Sequence, residues 1–80
     1  MEIHLLLFGI AKDLVGKQKL KLKLPELTTV ADFKKLLREK HPELHEIESI
    51  SVAVNSEYAS DAHLINHNDE IALIPPVSGG

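Results

Sequence analysis

Lysines at positions 17, 19, 21 and 23 alternate with Leu20, Leu22 and Leu24. A period of two places the leucines on one face and the lysines on the other, so Lys17–Leu24 reads as a half-buried strand. The same period places Ile3, Leu5 and Leu7 on one face of a first strand, Glu2–Phe8. Leu6 and Phe8 make its second face partly apolar, as expected of a central strand or one beside a partner. Gly9 permits a turn, Ile10–Val15 can form one short helical turn, and Gly16 ends it in the left-handed region. After the connection Pro25–Thr28 the period changes. Val30, Phe33, Leu36 and Leu37 recur at three- and four-residue spacings and form one stripe of a helix. Thr29 is a good N-cap with Asp32 at the third helical position, and Pro42 stops the helix near Lys40 or His41, so it spans Val30–Lys40. Glu43–Glu48 is polar and irregular. Ser49–Val54 is a third strand with Ile50, Val52 and Val54 on one face. Asn55-Ser56-Glu57 is a turn in which Asn55 is the candidate for positive φ. Tyr58–Asp61 is a short strand or a loop, Leu64 and Ile65 form an apolar plug over the core, and Asn66–Asp69 is turn chemistry. Glu70–Ile74 is the last strand.

Strand, strand, helix, strand, optional short strand, strand is an α+β order. It suits a β-grasp, a mixed sheet of four to five strands packed on one main helix. The apolar character of the first and last strands predicts that they lie side by side at the sheet centre. Residues 1–80 are expected to form one domain, with residues 75–80 as an extended C-terminal tail. Pro75 and Pro76 cannot extend a central ladder and favour an extended exit from the fold. Gly79 and Gly80, without Cβ atoms, form a tip that passes where no side chain would fit. A stiff stalk and slender tip suit insertion into a narrow channel of another protein; the alternative is a frayed terminus.

A chain of 80 residues buries only about 60–65% of its unfolded surface, so the core is small. The net charge of −3 argues against a general nucleic-acid binder, which needs a basic surface. There is no cysteine, hence no disulfide framework or thiolate metal site, which fits a cytoplasmic protein. Met1-Glu2-Ile3-His4 lacks the basic region of a secretory signal, and Leu5–Phe8 is too short to cross a bilayer, so no membrane role is expected.

The side chains offer no catalytic constellation. His41/His45 and His63/His67 have a spacing that could ligate zinc on a continuous helix. Pro42 interrupts the first pair and the second runs into a turn, so these are read as exposed histidines, and no metal site is expected. Asp61, Asp69 and Glu70 sit near turns and are read as turn-forming or capping groups. Ser51, Ser56, Ser60 and Ser78 lack a His/Asp partner pattern. The lysine row is read as the solvated face of an edge strand, where lysine discourages edge-to-edge pairing; the alternative is a basic strip that docks an acidic partner. The distinctive chemical handle is the terminal carboxylate of Gly80.

The ending Asp69-Glu70-Ile71-Ala72-Leu73-Ile74-Pro75-Pro76-Val77-Ser78-Gly79-Gly80 closely resembles the small-subunit family of molybdopterin synthase, ubiquitin-like sulfur carriers also called the MoaD family. Phe8–Gly16 resembles the family's stretch after the first strand, with Lys12-Asp13 in place of the usual Arg-Glu. Ala53-Val54-Asn55 resembles its third strand and turn, and Ile74 stands where an aromatic residue is frequent.

The resemblance implies a mechanism. A ubiquitin-activating-type adenylyltransferase uses ATP to convert Gly80 to an acyl-adenylate, making its oxygen a good leaving group. A sulfurtransferase system then supplies sulfur and leaves a thiocarboxylate. The tail Pro75, Pro76, Val77, Ser78 and Gly79 inserts into the large synthase subunit. There the thiocarboxylate attacks cyclic pyranopterin monophosphate, two sulfurs being needed for the molybdopterin dithiolene. The resemblance makes this chain a non-catalytic co-substrate that binds no cofactor itself, the catalytic groups belonging to the large subunit. Phe8 breaks the alternation of the first strand and Ile74 adjoins the tail, so both are expected in an apolar patch that docks the large subunit; the alternative is that both are core. Other classes remain open: a sulfur carrier of the thiazole-synthesis type, a ubiquitin-like protein modifier joined to lysines through Gly80, and a plain interaction domain.

Overall fold

The computed structural model describes residues 1–46 and 49–75. Five strands form one mixed sheet in the order β2-β1-β5-β3-β4. They are β1 (Glu2–Leu7), β2 (Lys19–Lys23), β3 (Ser51–Val54), β4 (Glu57–Tyr58) and β5 (Glu70–Ile74), with helices α1 (Gly9–Val15) and α2 (Val30–Lys40) between them. β1 pairs in parallel with β5, and the other pairs are antiparallel. The first and last strands are therefore neighbours, as their apolar character predicts, with β5 at the sheet centre.

One face of the sheet carries the core. Ile3, Leu5 and Leu7 of β1, Val52 and Val54 of β3, and Ile71 and Leu73 of β5 pack with Val30, Phe33 and Leu37 of α2. The alternation that placed these side chains inward is that of the strands themselves. α2 has the predicted limits because its start is chemically specified. The Asp32 backbone N–H donates to Thr29 Oγ1 at 3.2 Å, and the Thr29 N–H donates to Asp32 Oδ2 at 3.3 Å. This reciprocal pair satisfies two donors that a helix start leaves free.

Several boundaries move. β1 stops at Leu7, because Phe8 is the N-cap of α1. α1 is seven residues long, more than the single turn expected, and Gly16 ends it at φ 84°. β2 is shorter than Lys17–Leu24, and its leucines at 20 and 22 are only half-buried, as befits a sheet edge. The segment expected to be irregular contains a 3₁₀ helix, Pro42–Glu46, which carries a fully buried Leu44 into the core. β3 begins at Ser51 rather than Ser49. β4 begins at Glu57, earlier than expected, because Asn55 (φ 51°) and Ser56 (φ 73°) make a two-residue hairpin turn with both central φ angles positive. Of the apolar plug only Ile65 is buried; Leu64 remains 48% exposed.

The same Asn55 ties the hairpin to the start of β5. Its Nδ2 donates to Asp69 Oδ1 and its Oδ1 accepts the Glu70 backbone N–H, both at 3.0 Å. Asp69 Oδ2 accepts the Asn66 N–H at 2.8 Å. Asp69 is buried yet satisfied on both oxygens, which makes it the turn-forming acid its position predicted.

Candidate functional site

The two central strands end on the same side of the molecule. In their parallel register Leu5 lies opposite Ile71, Leu6 opposite Ala72 and Leu7 opposite Leu73. The register ends there, and Phe8 and Ile74 are the next residues along the two chains. Phe8 keeps an extended backbone (φ −128°, ψ 157°), so the alternation continues through it. Leu6 and Phe8 then face away from the core that Leu5 and Leu7 occupy. Ala72 and Ile74 alternate in the same way with Ile71 and Leu73. Phe8 is 43% exposed and Ile74 is half-buried, and neither belongs to the buried core.

Register extends this pair into a band. Lys19, Leu6, Ala72, Ala53 and Tyr58 lie opposite one another in successive strands, one row across the open face of the sheet. Ala53 is buried but stands outside the core cluster that holds Val52 and Val54. Tyr58 is 75% exposed at the far edge. The next row is polar, with Lys21, His4 and Glu70 in register. The open face thus has an apolar strip, Leu6 to Tyr58, that widens through Ile74 and Phe8 toward the end from which the chain leaves β5.

Pro75 follows β5 directly and sits against the β1–α1 junction. Gly9 begins α1 with φ +54°, and a Cβ on it would stand 3.3 Å from Pro75 Cγ. Proline's missing N–H ends the ladder here, as expected. The remaining tail residues, Pro76, Val77, Ser78, Gly79 and Gly80, lie outside the described residues.

Residues 5–80 match the ThiS family. The chain belongs to the ThiS family. The match includes Phe8, Ile74 and every residue of the tail. Among curated proteins, this ThiS-family chain is 42% identical to the molybdopterin synthase sulfur carrier subunit of Arabidopsis thaliana, over 100% of its own length and 84% of the relative's. Among solved structures, SAMP1 from Haloferax volcanii superposes with a TM-score of 0.86 at 28% identity, each chain covered completely. A protein–protein complex of subunits 1 and 2 of molybdopterin-converting factor from Helicobacter pylori contains a chain with a TM-score of 0.71 at 23% identity, again with full coverage of both. The β-grasp expected from element order is the fold of these neighbours and of this ThiS-family chain.

Two of the histidines singled out in this ThiS-family chain have partners within its own structure. His67 Nδ1 accepts the Glu2 backbone N–H at 3.0 Å, and His41 Nδ1 lies 3.2 Å from Glu43 Oε1. Among the described residues no group of three His, Cys, Asp or Glu side chains converges. Asp61 pairs with Lys34 at 3.0 Å on the far side of the molecule, at α2. Lys19, Lys21 and Lys23 are exposed along an edge strand. No helix among the described residues is long and apolar enough to cross a membrane. Sequence reasoning missed two features. The cross-sheet row depends on strand register, which no local pattern reveals. The approach of Gly9 to Pro75 was signalled only by the glycine itself, as a turn.

Proposed function

We propose that this chain is the sulfur carrier subunit of a molybdopterin synthase, with Gly80 as the atom-carrying residue and residues 75–79 as the arm that delivers it. The observation that carries this reading is the end-to-end match to a relative of that name, 42% identical over 100% of this chain. The geometry supports it: the arm begins at Pro75, at the end of the central strand and beside a partly exposed apolar strip.

The chemistry follows from the weakness of a carboxylate as a sulfur acceptor. A carboxylate oxygen of Gly80 attacks the α-phosphorus of ATP on an adenylyltransferase, and pyrophosphate leaves. Sulfur at the sulfide level, as hydrosulfide from the donor, then attacks the acyl carbon, the acyl C–O bond to AMP breaks, AMP leaves, and a thiocarboxylate remains. The loaded arm enters the large subunit, whose own groups catalyse transfer to cyclic pyranopterin monophosphate. A chain of this fold from Helicobacter pylori belongs to a complex of subunits 1 and 2 of molybdopterin-converting factor, which supports a large-subunit partner here. Incubating the chain with the activating enzyme, ATP and a sulfur donor is expected to raise the intact mass by one sulfur minus one oxygen, confined to the C-terminal peptide. An unchanged mass defeats the reading.

Phe8 and Ile74 are the docking residues of this proposal. Phe8→Asp introduces a charge at a site already partly in water, so the variant is expected to fold with a native circular dichroism spectrum and to lose large-subunit binding by at least tenfold. Ile74→Asp, at a half-buried site, is expected to lose binding with some loss of stability. Unfolding of Phe8→Asp assigns the ring to the core instead. A second reading, a protein modifier, is favoured by the likeness to small archaeal modifier protein 1 from H. volcanii, with a TM-score of 0.84 at 26% identity. Conjugates ending in an isopeptide bond from Gly80 to target lysines would establish it.

A further inference from the structure

We infer that Gly9 is a positioning residue for the C-terminal arm, a role that rests on the carrier reading above. The two glycines at the ends of α1 make the case by contrast. Both lie in the left-handed region, Gly9 at φ +54° and Gly16 at φ +84°. A Cβ added to Gly16 meets nothing within 4 Å. There glycine serves the backbone alone, closing the helix through its N–H to the Lys12 carbonyl at 2.8 Å. A Cβ added to Gly9 would stand 3.3 Å from Pro75 Cγ, inside the ordinary carbon–carbon separation of about 3.5–4.0 Å. Gly9 therefore meets two demands at once. It allows the turn from β1 into α1, and it leaves the space in which the Pro75 ring is seated.

Pro75 is where the arm begins. Its φ is held by its ring, so displacing that ring displaces the point from which the chain continues. A misplacement of about 1 Å at a reacting group can cost about 100-fold in rate. The floor beneath Pro75 thus bears on delivery of Gly80, although Gly9 lies far from it in sequence and touches no reacting atom.

Asparagine separates the two demands, because it tolerates the left-handed region but carries a Cβ. Gly9→Asn is expected to keep the native fold and a thermal midpoint within a few degrees, and to lower kcat/KM for sulfur loading about tenfold. Gly16→Asn, with open space around its Cβ, is expected to load as the native chain does. The decisive variant is Gly9→Asn placed in a Pro75→Ala background. Alanine has no Cγ, so adding Gly9→Asn to Pro75→Ala is expected to cause less than a further twofold loss. The inference is overturned if Gly9→Asn loads within twofold of native, or if its loss persists undiminished in the Pro75→Ala background. A native chain that takes up no sulfur defeats the carrier reading instead. The seat is then judged by the nuclear Overhauser contact between the Gly9 α-protons and the Pro75 γ-protons: its presence in the native chain and loss in Gly9→Asn uphold the seat, and its absence from the native chain overturns it.

Discussion

Adding one residue after Gly80 is expected to abolish sulfur loading, by more than 100-fold, without moving the thermal midpoint. On the carrier proposal, activation requires a free carboxylate at an acyl carbon that nothing else occupies. An appended residue converts that group to an amide, whose carbonyl oxygen is a far poorer nucleophile toward phosphorus, and moves the new carboxylate out of register with the Gly-Gly tip. The core has no stake in the change. It is built chiefly from β1, β3, β5 and α2, and the last strand ends at Ile74. Intact-mass measurement after incubation with the activating enzyme, ATP and a sulfur donor reads loading, and a thermal melt reads stability. An extended chain that loads as well as the native one removes the carrier proposal and leaves a plain interaction domain as the better description.

Phe33→Ala is expected to destabilise the fold by about 3–5 kcal/mol, the usual cost of removing a buried aromatic ring from a core. Phe33 is 0% exposed, and it belongs to the cluster formed by β1, β5 and α2. Chains of this length have a total stability of only about 4–12 kcal/mol, taken from the per-residue average, so the loss is a large part of the whole. The variant is expected to be substantially unfolded near physiological temperature. Urea titration followed by circular dichroism measures the change; a loss below about 1 kcal/mol would place the ring outside the core. The two variants divide the molecule cleanly. One removes the chemistry and leaves the fold, and the other removes the fold that holds the chemistry in place.

The elements legible in the chain are those specified by neighbours in sequence. Thr29 and Asp32 set the start of α2 because they bond each other across one turn. Asn55 adopts positive φ because a two-residue hairpin demands it and asparagine tolerates it. Leu44 was not legible. Within the polar stretch Glu43–Glu48 it is a lone apolar residue without a period, and its burial arises because a 3₁₀ helix after Pro42 turns it under α2. The site divides in the same way. Phe8 and Ile74 could be singled out individually, but whether they were core or surface turned on what covers them.

By itself the sequence determined the helix Val30–Lys40, the inward faces of the strands and the end of the ladder at Pro75, because backbone sterics, hydrogen-bond periodicity and the missing proline N–H act over a few residues. Only the tertiary structure decided that Leu6, Ala72, Ala53 and Tyr58 share one row, and that Gly9 is the floor on which Pro75 rests. Those relations join segments separated by nearly the whole chain. They depend on strand order and register, which arise from the packing of all the elements together and leave no mark in the spacing of residues within any one of them.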